Sequence, residues 1–205
     1  EEKLRLAQLL DENYHPSNRT YRYNYFYDNC TTRARDKIEE SLNGKLCFPE
    51  QKAALSYREI IHLFTKGSQW NELGIDLCLG AEADKPIDER KQMFAPFFLM
   101  DYARDAVIQR IDGTVPFVLN ESKVVDVESE EASTSFPLSP LTCSLLLLAL
   151  TCLVEWLAYV KKKVMWGWDI LLFGSQGIGG CIIAFLFFFS VHPTVDSNWM
   201  LVVFN

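Results

Sequence analysis

The sequence predicts an α+β region outside the cytoplasm followed by a transmembrane helical hairpin or bundle. Two long apolar runs near the C-terminus, a lysine triplet between them, and mixed helical and strand-like periodicities before them carry that expectation.

Leu141 to Val160 is a run of 20 residues with eight Leu and a single charge, Glu155. About 20 predominantly apolar residues are what a hydrocarbon core of roughly 30 Å requires. Glu155 would cost about 2.5 to 3.5 kcal/mol at a helix centre, but it sits off-centre toward the lysines, and the leucines offset it. Lys161, Lys162 and Lys163 follow, then Trp166 and Trp168 at interfacial depth, then a second apolar run from Ile170 to Val191. Lysine-rich short loops stay in the cytoplasm, so residues 1 to 140 and the turn 192–198 are expected on the other side. Small residues four apart, Ser175 with Gly179 and Gly180 with Ala184, suit close helix packing in a bundle. A simple hairpin anchor is the plainer alternative.

Of the 20 Lys and Arg in the 205 residues, 17 lie before Leu141, as do 24 of the 27 Asp and Glu, so the net charge of −7 belongs to the first part. That acidic balance, without a basic patch, argues against nucleic acid as a partner. Glu1 opens inside a helical pattern and Asn205 stops inside an apolar run, so the sequence reads as an internal fragment.

Within the first part, Leu4, Leu6, Ala7, Leu9 and Leu10 define a helix over 3–12 that His15 and Pro16 end. Tyr21, Tyr23, Tyr25 and Tyr27 alternate with Arg22, Asn24, Phe26 and Asp28, which predicts a strand delivering Asn29 and Cys30. A helix is expected from Thr31 or Thr32 to Leu42, stopped by Asn43 and Gly44. Ser56 and Glu59 have capping-box spacing for a helix closed by Lys66 and Gly67, with His62 expected as a solvated surface residue. Pro86 starts a further helix through Met93, Pro96 restarts it, and Val107 to Ile111, Asp112, Gly113 and Thr114 to Leu119 form a hairpin whose second strand, with Pro116, is an edge. Residues 128–140, rich in Glu, Ser and Pro, form a linker.

Chemistry centres on Cys30. A thiol becomes nucleophilic when its thiolate is stabilised, and Cys30 precedes a helix carrying Arg33 and Arg35. Asn29, Thr31 and Thr32 could supply donors for an oxyanion. The plain alternative is a buried packing cysteine. The other cysteines show no metal-ligand spacing, so no metal site is expected, and Cys47 and Cys78 could pair in an oxidising compartment. Of the three histidines, His15, His62 and His192, none stands out as a base. His192, with Asn198 and Trp199, forms a second candidate site or a polar membrane-edge turn.

Tyr-Asn-Tyr-Phe-Tyr-Asp-Asn-Cys-Thr-Thr-Arg-Ala-Arg-Asp at 23–36 resembles the central motif of the Lnb N-terminal periplasmic domain family. Gly74-Ile75-Asp76-Leu77, Gly80, Asp84-Lys85-Pro86, Met93-Phe94-Ala95-Pro96, His192-Pro193 and Asn198-Trp199 resemble its later segments. The resemblance implies part of a circularly permuted papain-like thiol domain, of the kind related to NlpC-like hydrolases and lecithin retinol acyltransferase. The implied boundaries are 1–127 for the thiol domain, 128–140 for the linker, and 141–205 for a membrane region with spans near 141–160 and 170–191 and the start of a third.

The implied activity is a thiol acyltransferase of the bacterial inner membrane, facing the periplasm, that takes an acyl chain from phospholipid and N-acylates lipoproteins. Cys30 would be its nucleophile, with Asp28, Asn29, Thr31, Arg33 and Asp36 in oxyanion-binding, supporting or structural roles. No cofactor is expected; the partners are phospholipid, lipoprotein and the bilayer. The family's His precedes its Cys in a Gly-His context that His15 does not match, so the base is expected upstream of residue 1. A membrane-anchored cysteine amidase or peptidase acting on peptidoglycan or protein, and a noncatalytic envelope-binding module, are the alternatives.

Overall fold

The computed structural model describes residues 1–50, 53–125, 136–190 and 198. It divides into two compact units, one built from Glu1–Ile60 and Pro86–Val127, the other from Ile61–Lys85 and Glu128–Asn205.

The first unit is mixed α and β. Helix α1 (Glu2–Tyr14) packs on α2 (Cys30–Ser41), which also meets α6 (Pro96–Arg104). A three-stranded antiparallel sheet runs in the order β1 (Lys45–Cys47), β2 (Val107–Arg110), β3 (Gly113–Pro116). Strand β3 is an edge strand, as its Pro116 requires, since proline has no N–H to give a second neighbour. Gly44 leads into β1 at φ 143°, and a Cβ there would stand 2.7 Å from the carbonyl oxygen of Gln109, so only glycine lets β1 approach β2.

The core gathers around aromatic rings. Phe26, Tyr57 and Phe94 are all buried, with ring centroids 4.4 Å apart for Phe26–Tyr57, 5.1 Å for Phe26–Phe94 and 5.4 Å for Tyr57–Phe94. Such tilted pairs add about 0.5 to 1.5 kcal/mol each beyond the area they bury. Gln92, in the short helix α5 (Glu89–Gln92), is also buried; its Nε2 donates to the Ala53 carbonyl at 2.8 Å and its Oε1 accepts from Tyr102 Oη at 2.9 Å. Helix α3 (Tyr57–Thr65) begins with the expected capping box: Glu59 Oε2 accepts from Ser56 N at 2.7 Å, and Ser56 Oγ from Glu59 N at 3.2 Å.

Three expectations for this unit are corrected. Residues 21–27 form no strand; they are a tight loop closed by reciprocal 3.0 Å hydrogen bonds between the backbones of Asn24 and Asp28. Asn24 Oδ1 accepts from Phe26 N and Tyr27 N, both at 3.2 Å, and this side-chain turn displaces the strand that aromatic alternation suggested. The helix expected from Pro86 instead starts at Glu89, because Asp88 caps it by accepting from Lys91 N. The second hairpin strand stops at Pro116 rather than Leu119.

The second unit contains the end of α3, α4 (Gln69–Cys78), a 3₁₀ turn (Ala81–Asp84), α7 (Pro140–Lys161) and α8 (Trp166–Phe189). Ser139 caps α7 by accepting from Thr142 N, and Pro140 occupies its first turn. Lys162 ends it in the left-handed conformation at φ 48°. Both long helices have a mean hydropathy of 2.0 over their apolar windows, of which none is covered by protein in α7 and 11% in α8. Apolar helices this long and this uncovered suit lipid rather than a protein core. Helix α4 packs on both of them.

His62 is not the solvated surface residue expected. Its Nε2 lies 2.9 and 3.1 Å from the two carboxylate oxygens of Asp76, with both side chains about one-third exposed. That contact ties the end of α3 to α4, a helix absent from the sequence-based expectation. Residues 128–135 of the expected linker, the end of the second span at Val191, His192, Trp199 and the expected start of a third span lie outside the described residues.

Candidate functional site

Cys30 stands at the first helical position of α2, and it is exposed rather than packed in the core. The residue before it fixes the geometry. Asn29 is extended, at φ −116° and ψ −179°, and is 5% exposed. Its Oδ1 accepts from both Thr31 N and Thr32 N at 2.9 Å, while Thr32 Oγ1 accepts from Asn29 N at 2.9 Å, which completes a reciprocal cap. Its Nδ2 donates twice, to the carbonyls of Tyr25 and Phe94, both at 2.9 Å. The loop that replaces the expected strand is thereby locked to the helix that follows it.

This saturation decides which donors are open to a substrate. The side-chain amide of Asn29 and the backbone amides of Thr31 and Thr32 are occupied within the cap. The N–H of Cys30 itself makes no hydrogen bond among the described residues, and it lies at the positive end of α2.

The charged residues around Cys30 are tied to one another. Arg33 grips Asp28 with two hydrogen bonds, Nε to Oδ1 at 2.6 Å and Nη2 to Oδ2 at 2.8 Å, and its guanidinium carbon lies 3.5 Å from the centre of the Tyr21 ring. The Asp28 hydrogen bond, followed by the nearby charge of Asp28, raises the Arg33 pKa. Asp36 accepts from Arg35 Nε at 2.9 Å and from Arg90 Nη2 at 2.8 Å, and Arg35 Nη1 donates to the Arg90 carbonyl at 2.8 Å. Both carboxylates therefore hold arginines and tie α2 into its surroundings.

Tyr23 was not among the expected site residues. Burial pushes its phenol up, and the charge that Cys30 carries as thiolate adds to this, followed by Tyr25 and Tyr21. Its hydroxyl thus stays protonated within electrostatic reach of the thiol. Its place in the tyrosine alternation was visible in the sequence, but the loop that replaces the expected strand there was not.

Among the described residues of this first unit the sole histidine is His15, exposed just past α1. His62, with Asp76, and Asn198 belong to the second unit. Asn198 is buried there, and its Nδ2 donates to the Leu77 carbonyl at 2.8 Å. His192 and Trp199, the other members of that second candidate site, lie outside the described residues. Cys47 and Cys78 are both free thiols, and no cluster of metal-binding side chains occurs among the described residues.

An exposed thiol on a capped helix, in a mixed α and β unit of a chain that also carries two lipid-exposed apolar helices, defines a membrane protein with a thiol-bearing domain outside the bilayer. A family model of the Lnb N-terminal periplasmic domain matches residues 1–62, and one of the Lnb transmembrane domain matches residues 130–205. The two matches together take in more than half of the chain, which belongs to the Lnb family and is a membrane protein with a periplasmic soluble part. No curated protein and no solved structure matches the chain.

Proposed function

We propose that this protein acts in lipoprotein processing in the bacterial inner membrane, as an acyltransferase with Cys30 as its nucleophile. The carrying observation is the exposed Cys30 thiol at the head of α2, whose own N–H makes no hydrogen bond among the described residues, within the stretch that matches the Lnb periplasmic domain. The permuted papain-like arrangement is part of this reading. It is supported by a candidate nucleophile on the first turn of a helix and by an antiparallel sheet in the same unit.

In the first step the Cys30 thiolate attacks the ester carbonyl carbon of a phospholipid, and the carbonyl oxygen takes the negative charge. The Cys30 N–H and the end of α2 face that charge, and the protonated Tyr23 hydroxyl lies within electrostatic reach. Collapse breaks the ester C–O bond; the lysophospholipid alkoxide leaves and takes a proton from water, and the acyl chain stays on sulfur as a thioester. In the second step the α-amine of a lipoprotein N-terminal cysteine attacks the thioester. An amide forms as the amine nitrogen gives up a proton to water, the C–S bond breaks, and the thiolate is restored. Donor and acceptor are both held in the bilayer, so anchoring the thiol domain to membrane spans replaces a search through solution with proximity.

The test supplies phosphatidylethanolamine vesicles and a synthetic diacylated lipopeptide with a free N-terminal amine to the membrane-embedded full-length gene product. Mass spectrometry should show a triacylated lipopeptide with wild type and none with Cys30→Ala. Release of free fatty acid without lipopeptide acylation would point to hydrolysis instead.

A further inference from the structure

Within the second unit, α4 touches both of the chain segments that flank the spans at their periplasmic ends. At its start, Trp70 Nε1 donates to the carbonyl of Leu138 at 2.8 Å, and the Trp70 ring meets Phe136 edge-on at 5.8 Å. Leu138 immediately precedes Ser139, the cap of α7. At its end, the Leu77 carbonyl accepts from Asn198, which follows α8 in the chain. Ten helical residues extend about 15 Å, so the contacts at the two ends of α4 lie about one helix length apart. An element so fixed is held to the chain at the periplasmic ends of both spans.

Its side chains suit that place. Leu63 is 57% exposed, Trp70 39% and Leu73 38%. Tryptophan with its ring in an apolar setting and its N–H bonded to a polar group is the residue type favoured at the level of lipid headgroups. Four polar residues of the segment engage partners within it: His62 pairs with Asp76, and Thr65 Oγ1 donates to the Ile61 carbonyl at 3.2 Å and approaches Glu72 at 3.4 Å. These contacts clip the end of α3 to α4 while leaving the apolar side chains uncovered.

We propose that residues 61–78 form an interfacial helical hairpin that rests on the periplasmic leaflet, with Leu63, Trp70 and Leu73 set into the boundary between lipid headgroups and acyl chains. The bilayer is the occupant because Trp70 rests on the exposed Phe136 and bonds Leu138, which lead directly into the lipid-facing α7. The hairpin would then set the depth and tilt of the membrane hairpin below it. This assignment does not depend on the thiol chemistry.

The test uses the unaltered full-length gene product in nanodiscs containing phosphatidylethanolamine with a diazirine either near the carboxyl end of one acyl chain or at its terminal carbon. After irradiation and trypsin digestion, the shallow probe should mark the peptides 59–66 and 67–90 more than the deep probe does, whereas the peptide that begins at Val164 and carries α8 should show the reverse, with its adducts located by fragmentation in the middle of α8. In a Leu63→Glu, Leu73→Glu double variant, labelling of 59–66 and 67–90 should fall while that of the spans persists. Labelled spans with no adducts on 59–66 and 67–90 would overturn the proposal, as would unchanged labelling in the double variant.

Discussion

The side-chain Nδ2 of Asn29 donates to the carbonyl oxygen of Phe94 at 2.9 Å, a buried hydrogen bond between residues 65 apart in sequence. It fastens the helix start that carries Cys30 to the segment entering α6, and the same side chain caps α2 through Thr31 and Thr32. The position of the thiol therefore depends on a residue with no hydrogen-bonding capacity left for a substrate.

Asn29→Ala removes the cap, worth about 1 kcal/mol, and leaves the Tyr25 and Phe94 carbonyls short of a donor at about 1 to 3 kcal/mol for a buried group. A loss of about 2 to 4 kcal/mol is expected, and Asn29→Ser should recover roughly 1 kcal/mol of it by restoring the cap acceptor alone. Urea unfolding followed by tyrosine near-ultraviolet circular dichroism reports on this unit, which contains seven of the eight tyrosines and no tryptophan. Equal stability of the alanine and serine variants would contradict the capping role.

Gly44→Ala should destabilise the same unit by about 2 kcal/mol or more. An added Cβ meets the Gln109 carbonyl at 2.7 Å and the Ile108 side chain at 2.9 Å, and the backbone is held at φ 143°. Gly113→Ala has a similarly unfavourable φ of 133° but open space around it, so it should cost less. Thermal unfolding of the two variants side by side checks the ranking.

Glu2 links three elements: its Oε1 accepts from Asn43 N at 2.7 Å, and its carboxylate from Arg110 Nη2 at 2.8 and 2.9 Å. The Asn43 hydrogen bond first, with Arg110 adding to it, lowers its pKa below the ordinary value. A carboxylate depressed on folding stabilises the fold above its unfolded pKa, near 4.3 for glutamate, and that stabilisation is lost as pH falls through the folded value. Glu2→Gln should therefore flatten the loss of stability below about pH 4.3, measured as the midpoint of urea unfolding against pH. An acid limb as steep as in wild type would contradict the linkage.

Much of the architecture was legible because its signals are local. The Ser56 and Glu59 box, the β2–β3 hairpin with its proline edge, and both spans each rest on a few neighbouring residues, whereas the left-handed stop expected at Asn43 and Gly44 is not formed: α2 ends in an extended Leu42, and Gly44 serves the approach of β1 to β2. What escaped depends on distant partners. Strand β1 is three residues long and exists through pairing with β2, about sixty residues on. The His62–Asp76 contact needs α4, whose helical spacing at Trp70, Leu73 and Leu77 is interrupted by Gly74. The tyrosine alternation mimicked a strand because Asn24 closes the loop through its own side chain. At the site, Cys30 and its helix were readable, but not the consumption of the Asn29, Thr31 and Thr32 donors by the cap, which local spacing alone did not distinguish from availability.

The central claim, that Cys30 carries an acyl group, is tested most directly by intact mass of the full-length gene product after incubation with phospholipid vesicles. Wild type should gain the mass of a fatty acyl chain, hydroxylamine should remove it by cleaving the thioester, and Cys30→Ala should never acquire it. An acyl increment that survives hydroxylamine, or that forms equally on Cys30→Ala, would contradict the account, as would a wild-type protein that remains unmodified while its Cys30 is alkylated freely.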